Sequence, residues 1–454
     1  MTTRQRSALC AACFLVLQGM GIARTPADSA GQHPGLTLDK AIAIALEHNR
    51  DVMMADRDRT KAGAQVTEAR SGALPNLSFT GSYYRNIKKQ VLFLPPNTPF
   101  NPTSQTEMLE LGSDNSYALG AQLVQPLFNW KVGLALDIAN TYLDYSEKNY
   151  LATVDEVRFD VEQAFYRVLF ARELVKANSQ GLEIVEANLK NVDAQYRNGT
   201  AAEFDLLRAQ VQVANTEPLV TSAENGLLLA TNALKNLLSI PLDSVLQVEG
   251  SLAFEDVTAD TLTAARSRAL RANPSITALA LEENMMEMNI SVERANYYPS
   301  LTLIGSYQWQ TQDNSFHFKD YLWANSLSVG VQISFPIFDG LRTSARTEQA
   351  TADYQKVHFL RLKAEEGLKI QIQSAELNMA EAKKRLYGQE RNIEQAEKAV
   401  RIAQTRYSSG VGTQLELLDA QVAMTRTQTN RAQALYDYLV AKAVWAEAVG
   451  RGHE

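Results

Sequence analysis

Hydrophobic and polar positions change rhythm several times along this chain. From about 38 to 74, apolar Ala, Leu, Val and Met fall at spacings of three and four between charged residues, which predicts helix. Pro75 ends that run, because its ring disfavours a helical predecessor. The period then drops to two. Leu77, Phe79, Gly81 and Tyr83 share one side of a predicted strand, and Asn76, Ser78, Thr80 and Ser82 share the other. A partner strand over about 117–127 sets Leu119, Ala121 and Leu123 opposite Gly120 and Gln122. Further on, Leu327, Val329, Val331, Ile333 and Phe335 alternate with Ser328, Gly330, Gln332 and Ser334. A greasy face backed by a small polar face suits a barrel strand with lipid outside and water inside. A strand of a soluble sandwich alternates too.

After Pro126 and again after Pro336 the helical period returns, over about 131–197 and 342–407, without a proline. At ~1.5 Å per residue each such helix is roughly 100 Å long, more than any single globular core needs. Near its end the first keeps coiled-coil spacing through Leu182, Val185, Leu189, Val192 and Tyr196, and the second through Ile393, Ala396, Val400, Ala403 and Tyr407. Asn198-Gly199 and Ser409-Gly410 then break the helices, with Gly suited to the left-handed position. Return helices are predicted over 201–238 and 412–448. Pro218 inside the first predicts a kink near 214–218.

These elements occur twice. Residues 38–52 reappear 224 positions later, with Ala41, Ala45, Leu46 and Asn49 recurring as Ala265, Ala269, Leu270 and Asn273. The same offset carries Pro75-x-Leu77-x-x-x-Gly81-Ser82-Tyr83 onto Pro299-x-Leu301-x-x-x-Gly305-Ser306-Tyr307. Gly120-x-Gln122-x-x-x-Pro126-x-Phe128 matches Gly330-x-Gln332-x-x-x-Pro336-x-Phe338, and the Tyr196, Gly199, Leu206-Leu207-x-Ala209-Gln210-Val211 series matches Tyr407, Gly410, Leu417-Leu418-x-Ala420-Gln421-Val422. The expectation is an internally duplicated chain: a first repeat over 24–239, a linking segment over 240–261 with a short extra strand, and a second repeat over 262–450. Barrel segments fall at about 76–127 and 300–337, and helical tunnel segments at about 131–238 and 342–448. Of the two strand-joining loops, 86–114 holds Pro95, Pro96, Pro99 and Pro102 and is expected to be irregular, whereas 311–322 carries Phe316, Phe318 and Tyr321. Tyr83, Tyr84, Tyr307, Trp309 and Trp323 lie near strand ends, where an interfacial girdle would sit.

Composition narrows the class. Residues 1–23 read as a secretory signal: Arg4 and Arg6, an apolar run from Ala8 to Val16, and a small-residue cleavage site at Gly21-Ile22-Ala23. Its removal takes away both cysteines, Cys10 and Cys13, which excludes disulfides and thiolate chemistry. The alternative, a lipoprotein acylated on Cys13, has Cys10 where a Leu-like residue is wanted. Losing Arg4 and Arg6 takes the 44 basic residues to 42 against 51 acidic ones, a balance of −9. No basic stripe points to nucleic acid, and no later apolar run of about 20 residues offers a membrane-spanning helix. A secreted chain can still enter a membrane as a barrel, but known single-chain barrels start at about eight strands. Four strands must therefore be pooled between copies; counting alone permits a dimer of eight or a trimer of twelve.

The duplicated Pro-x-Leu strand openings, Gly-x-Gln-x-x-x-Pro strand exits and Tyr-x-x-Gly…Leu-Leu-x-Ala-Gln turns, in one order and twice, resemble the TolC family of outer-membrane efflux proteins from Leu38 to about Gly450. The resemblance implies a mixed fold of helices and membrane strands: a homotrimer whose twelve-stranded β-barrel, four strands per chain, continues into an α-helical coiled-coil tunnel across the periplasm. It implies a passive exit duct of a tripartite efflux or type I secretion system, with a periplasmic adaptor (membrane fusion) protein and an inner-membrane transporter as partners. It also implies a tunnel closed near the turns by carboxylates and tyrosine links. Glu416 and Asp419, nine and twelve residues after Tyr407, match the acidic pore constriction. A threefold ring of them would attract cations, although acids at a helix start also simply suit its dipole. Tyr407 matches the linking tyrosine, Asp205 its acidic partner, and Tyr196 the equivalent residue of the first turn. Asn198, Gly199, Ser409 and Gly410 match the turns that meet the adaptor. An arginine that some members place five residues after the tyrosine is replaced by Gly412.

No enzyme signature emerges. His33, His48, His317, His358 and His453 lack metal spacing, and there is no phosphate loop or nucleophile elbow, so no cofactor or metal is expected. Met285, Met286 and Met288 read as helix packing rather than soft-metal ligands. The competing reading is a non-conducting periplasmic coiled-coil spacer or adaptor.

Overall fold

The structure, a computed structural model, describes residues 35–450. The expected signal 1–23, with Cys10 and Cys13, and both His33 and His453 lie outside the described residues.

Among the described residues two helices, not one, precede the first strand. α1 (Leu38–His48) and α2 (Arg50–Ser71) meet at Asn49, whose φ/ψ of −64°/134° is extended. Asn competes with the helical backbone for hydrogen bonds, and here its side chain wins. Its Oδ1 accepts from the backbone N–H of Asp51 at 2.8 Å and of Val52 at 3.4 Å, which caps α2. Its Nδ2 donates to the carbonyl of Leu237 at 2.9 Å. The single helix expected over 38–74 is corrected accordingly. The same device recurs at Asn273, between α5 (Ala259–Ala272) and α6 (Pro274–Arg294): Oδ1 accepts from Ser275 at 3.0 Å and Ile276 at 3.3 Å, and Nδ2 donates to the Ala448 carbonyl at 3.3 Å.

Strands β1 (Asn76–Arg85), β4 (Asn115–Phe128), β5 (Ser300–Asp313) and β6 (Ala324–Ser334) form one antiparallel sheet in the order β1-β4-β5-β6. Asn76 pairs with Val124, and the residues 224 and 210 positions further on, Ser300 and Ser334, pair in the same way. In between, β4 pairs with β5 from Asn115↔Asp313 to Phe128↔Leu301, with a register shift at Pro126/Phe128. The loop 86–114 is not irregular throughout. It carries a hairpin of β2 (Gln90–Leu94) and β3 (Glu107–Leu111), and its prolines fall in the connection between them. The linking segment 240–261 holds no extra strand, only an isolated parallel bridge from Val248 to Leu36.

α3 (Trp130–Arg197) has 68 residues and α7 (Arg342–Ser408) has 67. At ~1.5 Å per residue each is about 100 Å long. Each turns back tightly into a shorter helix, α4 (Glu203–Leu237) and α8 (Gln414–Val449). Pro218 lies inside α4. Two apolar clusters hold the helices together below the sheet. One gathers Val161, Leu169, Leu234 and Leu238 around Ala41 and Ala45, and the other gathers Ile372, Leu386, Tyr438 and Leu439 around Ala269. Toward the turns the seam continues through Val185, Val192 and Ala403, with Ala209, Leu417 and Leu418 buried from the return helices.

Candidate functional site

The two helical turns are built alike. Asn198 and Ser409 end their helices with φ near −86°, and Gly199 and Gly410 follow at φ +70° and +72°, a conformation only Gly adopts without strain. Thr200 N–H reaches back to the Gln195 carbonyl and Val411 N–H to the Arg406 carbonyl, at 2.9 and 3.0 Å, each closing a Schellman-type cap. Asn198, Gly199, Ser409 and Gly410 are all exposed at the tip.

Tyr407 joins the turns. Its hydroxyl donates to Gln195 Oε1 at 3.3 Å, on the other hairpin. Asp205 acts on it through charge: burial first, and then that carboxylate, push the Tyr407 phenol above its ordinary value. Tyr196, beside Gln195, is 40% exposed.

Glu416 occupies the first turn of α8, where its N–H is capped by Thr413 Oγ1 at 3.2 Å. Its carboxylate lies 3.4 Å from Arg406 Nε. Asp419 is exposed and has no ion pair among the described residues. Arg406 is the residue the sequence reading passes over. Its guanidinium also donates to the Val411 carbonyl at 3.3 Å, so it straddles the turn. Gly412 explains why no arginine stands five residues after Tyr407. A Cβ there would sit 2.8 Å from Arg406 Cβ and 3.0 Å from the Tyr407 nitrogen. The turn folds flat onto its own helix, beside the Arg406 guanidinium.

The sheet is the second candidate surface. The registers put Leu77, Leu123, Gly305 and Val329 in one row, and Phe79, Ala121, Tyr307 and Leu327 in the next. The opposite face carries Ser78, Gln122, Ser306 and Ser328. Nothing among the described residues covers the greasy face: Leu77, Phe79, Leu327 and Val329 are 68–74% exposed. Aromatic groups mark both ends. Tyr83 stacks on Tyr117 at 4.8 Å beside Phe318 and Tyr321, and Phe128, Trp130 and Tyr298 cluster at the helical end. From Tyr117 to Phe128 the strand advances roughly 36 Å at ~3.3 Å per residue. A tilt of about 45° brings that to roughly 25 Å, the height of an outer-membrane apolar band. No described helix is long and apolar enough to cross a membrane. The Met cluster packs as expected at Met285, which is buried. The described residues contain no cluster of three or more potential metal-binding side chains.

The sequence model for outer membrane efflux proteins matches residues 41–239 and again 265–451. The chain belongs to the outer membrane efflux protein family. The family is one of outer-membrane channels rather than of enzymes, and that localisation applies to this member. Among its relatives, the outer membrane protein TolC of Vibrio cholerae is 22% identical over 408 residues, covering 89% of each chain. The alkaline protease secretion protein AprF of Pseudomonas aeruginosa is 23% identical, covering 89% of this chain and 81% of that one. The CmeC outer membrane channel of Campylobacter jejuni has the same fold, with a TM-score of 0.77 at 18% identity over 91% of this chain and 85% of that one.

Proposed function

We propose that three copies of this outer-membrane exit duct pool their four-stranded sheets into a closed twelve-stranded barrel. Their paired helices would enclose a tunnel across the periplasm. The observation that carries this reading is a sheet with a bare greasy face, aromatic groups at both ends and two unpaired edge strands, β1 and β6. An open edge in hydrocarbon leaves backbone groups unsatisfied, so closure through neighbouring copies is the physical solution. Two like halves, 24–239 and 262–450 joined by 240–261, supply two strands and one helical hairpin each. The duct is passive. Efflux and secretion channels of this family work with a periplasmic adaptor and an inner-membrane pump, and the exposed tips at Asn198-Gly199 and Ser409-Gly410 are the surface offered to the adaptor. AprF serves protease secretion by name, so a cargo as large as a polypeptide is within the reach of this architecture.

At the tunnel end, Glu416 and Asp419 from three copies form a carboxylate ring that favours cations. Tyr407, with Gln195 and Asp205, holds the hairpins together, and Tyr196 lines the same level. In planar bilayers the purified protein should conduct and prefer cations. Glu416→Gln with Asp419→Asn weakens that preference severalfold, and unchanged selectivity rejects the ring. Extraction by carbonate wash, with no heat-modifiable trimer in detergent, rejects the barrel.

A further inference from the structure

The two edge strands carry enough information to fix how neighbouring copies join. This inference rests on the barrel proposed above and specifies the contact on which it depends. Within the chain, β1 pairs with β4 and β5 with β6 in one common register, once residues are matched at offsets of 224 and 210. β4 has a second partner, β5. β6 is the counterpart of β4 and lacks one. Its neighbour in a closed sheet would be the counterpart of β5, which is β1. The strand directions agree, because β1 and β6 run antiparallel.

A second observation points the same way. β4 runs past the end of β1: the β1 pairing stops at Asn76↔Val124, and 125–128 bond to β5 alone. The matching segment 335–338 has no strand partner among the described residues, and β6 ends at Ser334. Phe335, Ile337 and Phe338 there are 58%, 90% and 79% exposed. An apolar extension that repeats a paired strand, yet is left unpaired, is the shape of a missing neighbour.

We propose that β6 and the segment after it pair with β1 of the next copy in the register β4 uses with β5. Val331 then lies opposite Tyr83 of the neighbouring copy, Ile333 opposite its Gly81, and Phe335 opposite its Phe79. On the polar face Gln332 meets Ser82, and Ser334 meets Thr80. Beyond them Pro336 meets Ser78 and, after a bulge like that at Pro126/Phe128, Phe338 meets Leu77. Across these pairs greasy residues stay with greasy neighbours and small polar ones with their kind, while nearer the loops Val329 faces Arg85 and Gly330 faces Tyr84. Ile333 against Gly81 repeats Leu123 against Gly305, where a Cβ on the glycine would sit 3.5 Å from the leucine. The bulky residue takes the space the glycine leaves. A slip of one residue would reverse the faces. A slip of two would keep the faces and set Val331 or Phe335 against Gly81, so the choice between these registers rests on the repeat of the β4–β5 pairing.

Disulfide trapping in the full-length protein tests this. Directly opposed residues have Cα atoms about 4.5–5.5 Å apart, within disulfide reach. S334C combined with T80C, and Q332C combined with S82C, should convert most of the membrane-inserted protein under mild oxidation into covalent multimers up to the size of the ring. S334C with G81C, one residue out, should remain monomeric on denaturing gels, as should each single variant and the parent chain. S334C with S82C or S78C, two residues out, should link weakly. Dominant linking at a two-residue slip overturns this register and leaves the barrel standing. No linking at any pair in a protein that still runs as a heat-modifiable trimer overturns the shared edge. No linking in a protein that washes off the membrane overturns the barrel itself.

Discussion

The turns at Gly199 and Gly410 share a backbone and differ in what crosses it. In the first, Arg197 points back along its own helix to Asp193 at 2.7 Å, and Thr200 Oγ1 doubles the bond to the Gln195 carbonyl at 3.0 Å. In the second, Arg406 reaches forward over the turn to Glu416, and Gly412 adds a second N–H to the Arg406 carbonyl at 2.9 Å. One turn is closed by its backbone and a hydroxyl. The other is also bridged by a guanidinium and flattened by a glycine. Identical backbone geometry therefore does not mean identical stiffness, and the α7–α8 tip is the more tightly tied of the two.

The largest effect should come from Gly199→Val or Gly410→Val, which force a β-branched residue to φ near +70° and cost about 2 kcal/mol each. Hydrogen exchange at the two tips should rise equally, and an unequal rise would show that side chains override the backbone. Gly412→Ala should cost about 1 kcal/mol through contact with Arg406, whereas Ala201→Gly at the matching place in the first turn should leave exchange at that tip nearly unchanged. That pair of variants is the sharpest probe of the asymmetry. Tyr407→Phe should remove about 1 kcal/mol of link between the hairpins, seen as more frequent spontaneous openings in single-channel records. The same link weakens with alkali. The folded-state phenol is raised above 10.0, so its contribution is complete below that pH and is lost as pH climbs through the folded value. Arg406→Ala should have the smallest effect, under about 1 kcal/mol, because the ion pair with Glu416 is half exposed. Raising salt should mimic it.

Much of the fold was legible, because strands with one bare greasy face must alternate strictly and helices of this length leave long proline-free runs. The β2–β3 hairpin escaped because four prolines between 95 and 102 dominated that loop, although the apolar runs at Gln90–Leu94 and Glu107–Leu111 flanked them. The helix breaks at Asn49 and Asn273 escaped because the apolar spacing continues through them; the recurrence of Asn, and Pro274 after the second, marked the place. At the turns, Tyr407 and Glu416 were singled out by the family resemblance, which places the acid nine residues after the tyrosine. Arg406 was not, because its reach over the turn depends on the flat packing at Gly412. The lower aromatic group escaped because Phe128, Trp130 and Tyr298 come from different elements.

Asn49 and Asn273 carry a mechanical consequence. Each welds the last turn of a return helix, through the Leu237 or Ala448 carbonyl, to the start of the helix leading into a strand. Torsion applied at the tips travels up α4 and α8 and meets a fixed joint there. In the tunnel proposed above, these joints would separate movement of the tips from the sheet that faces the lipid.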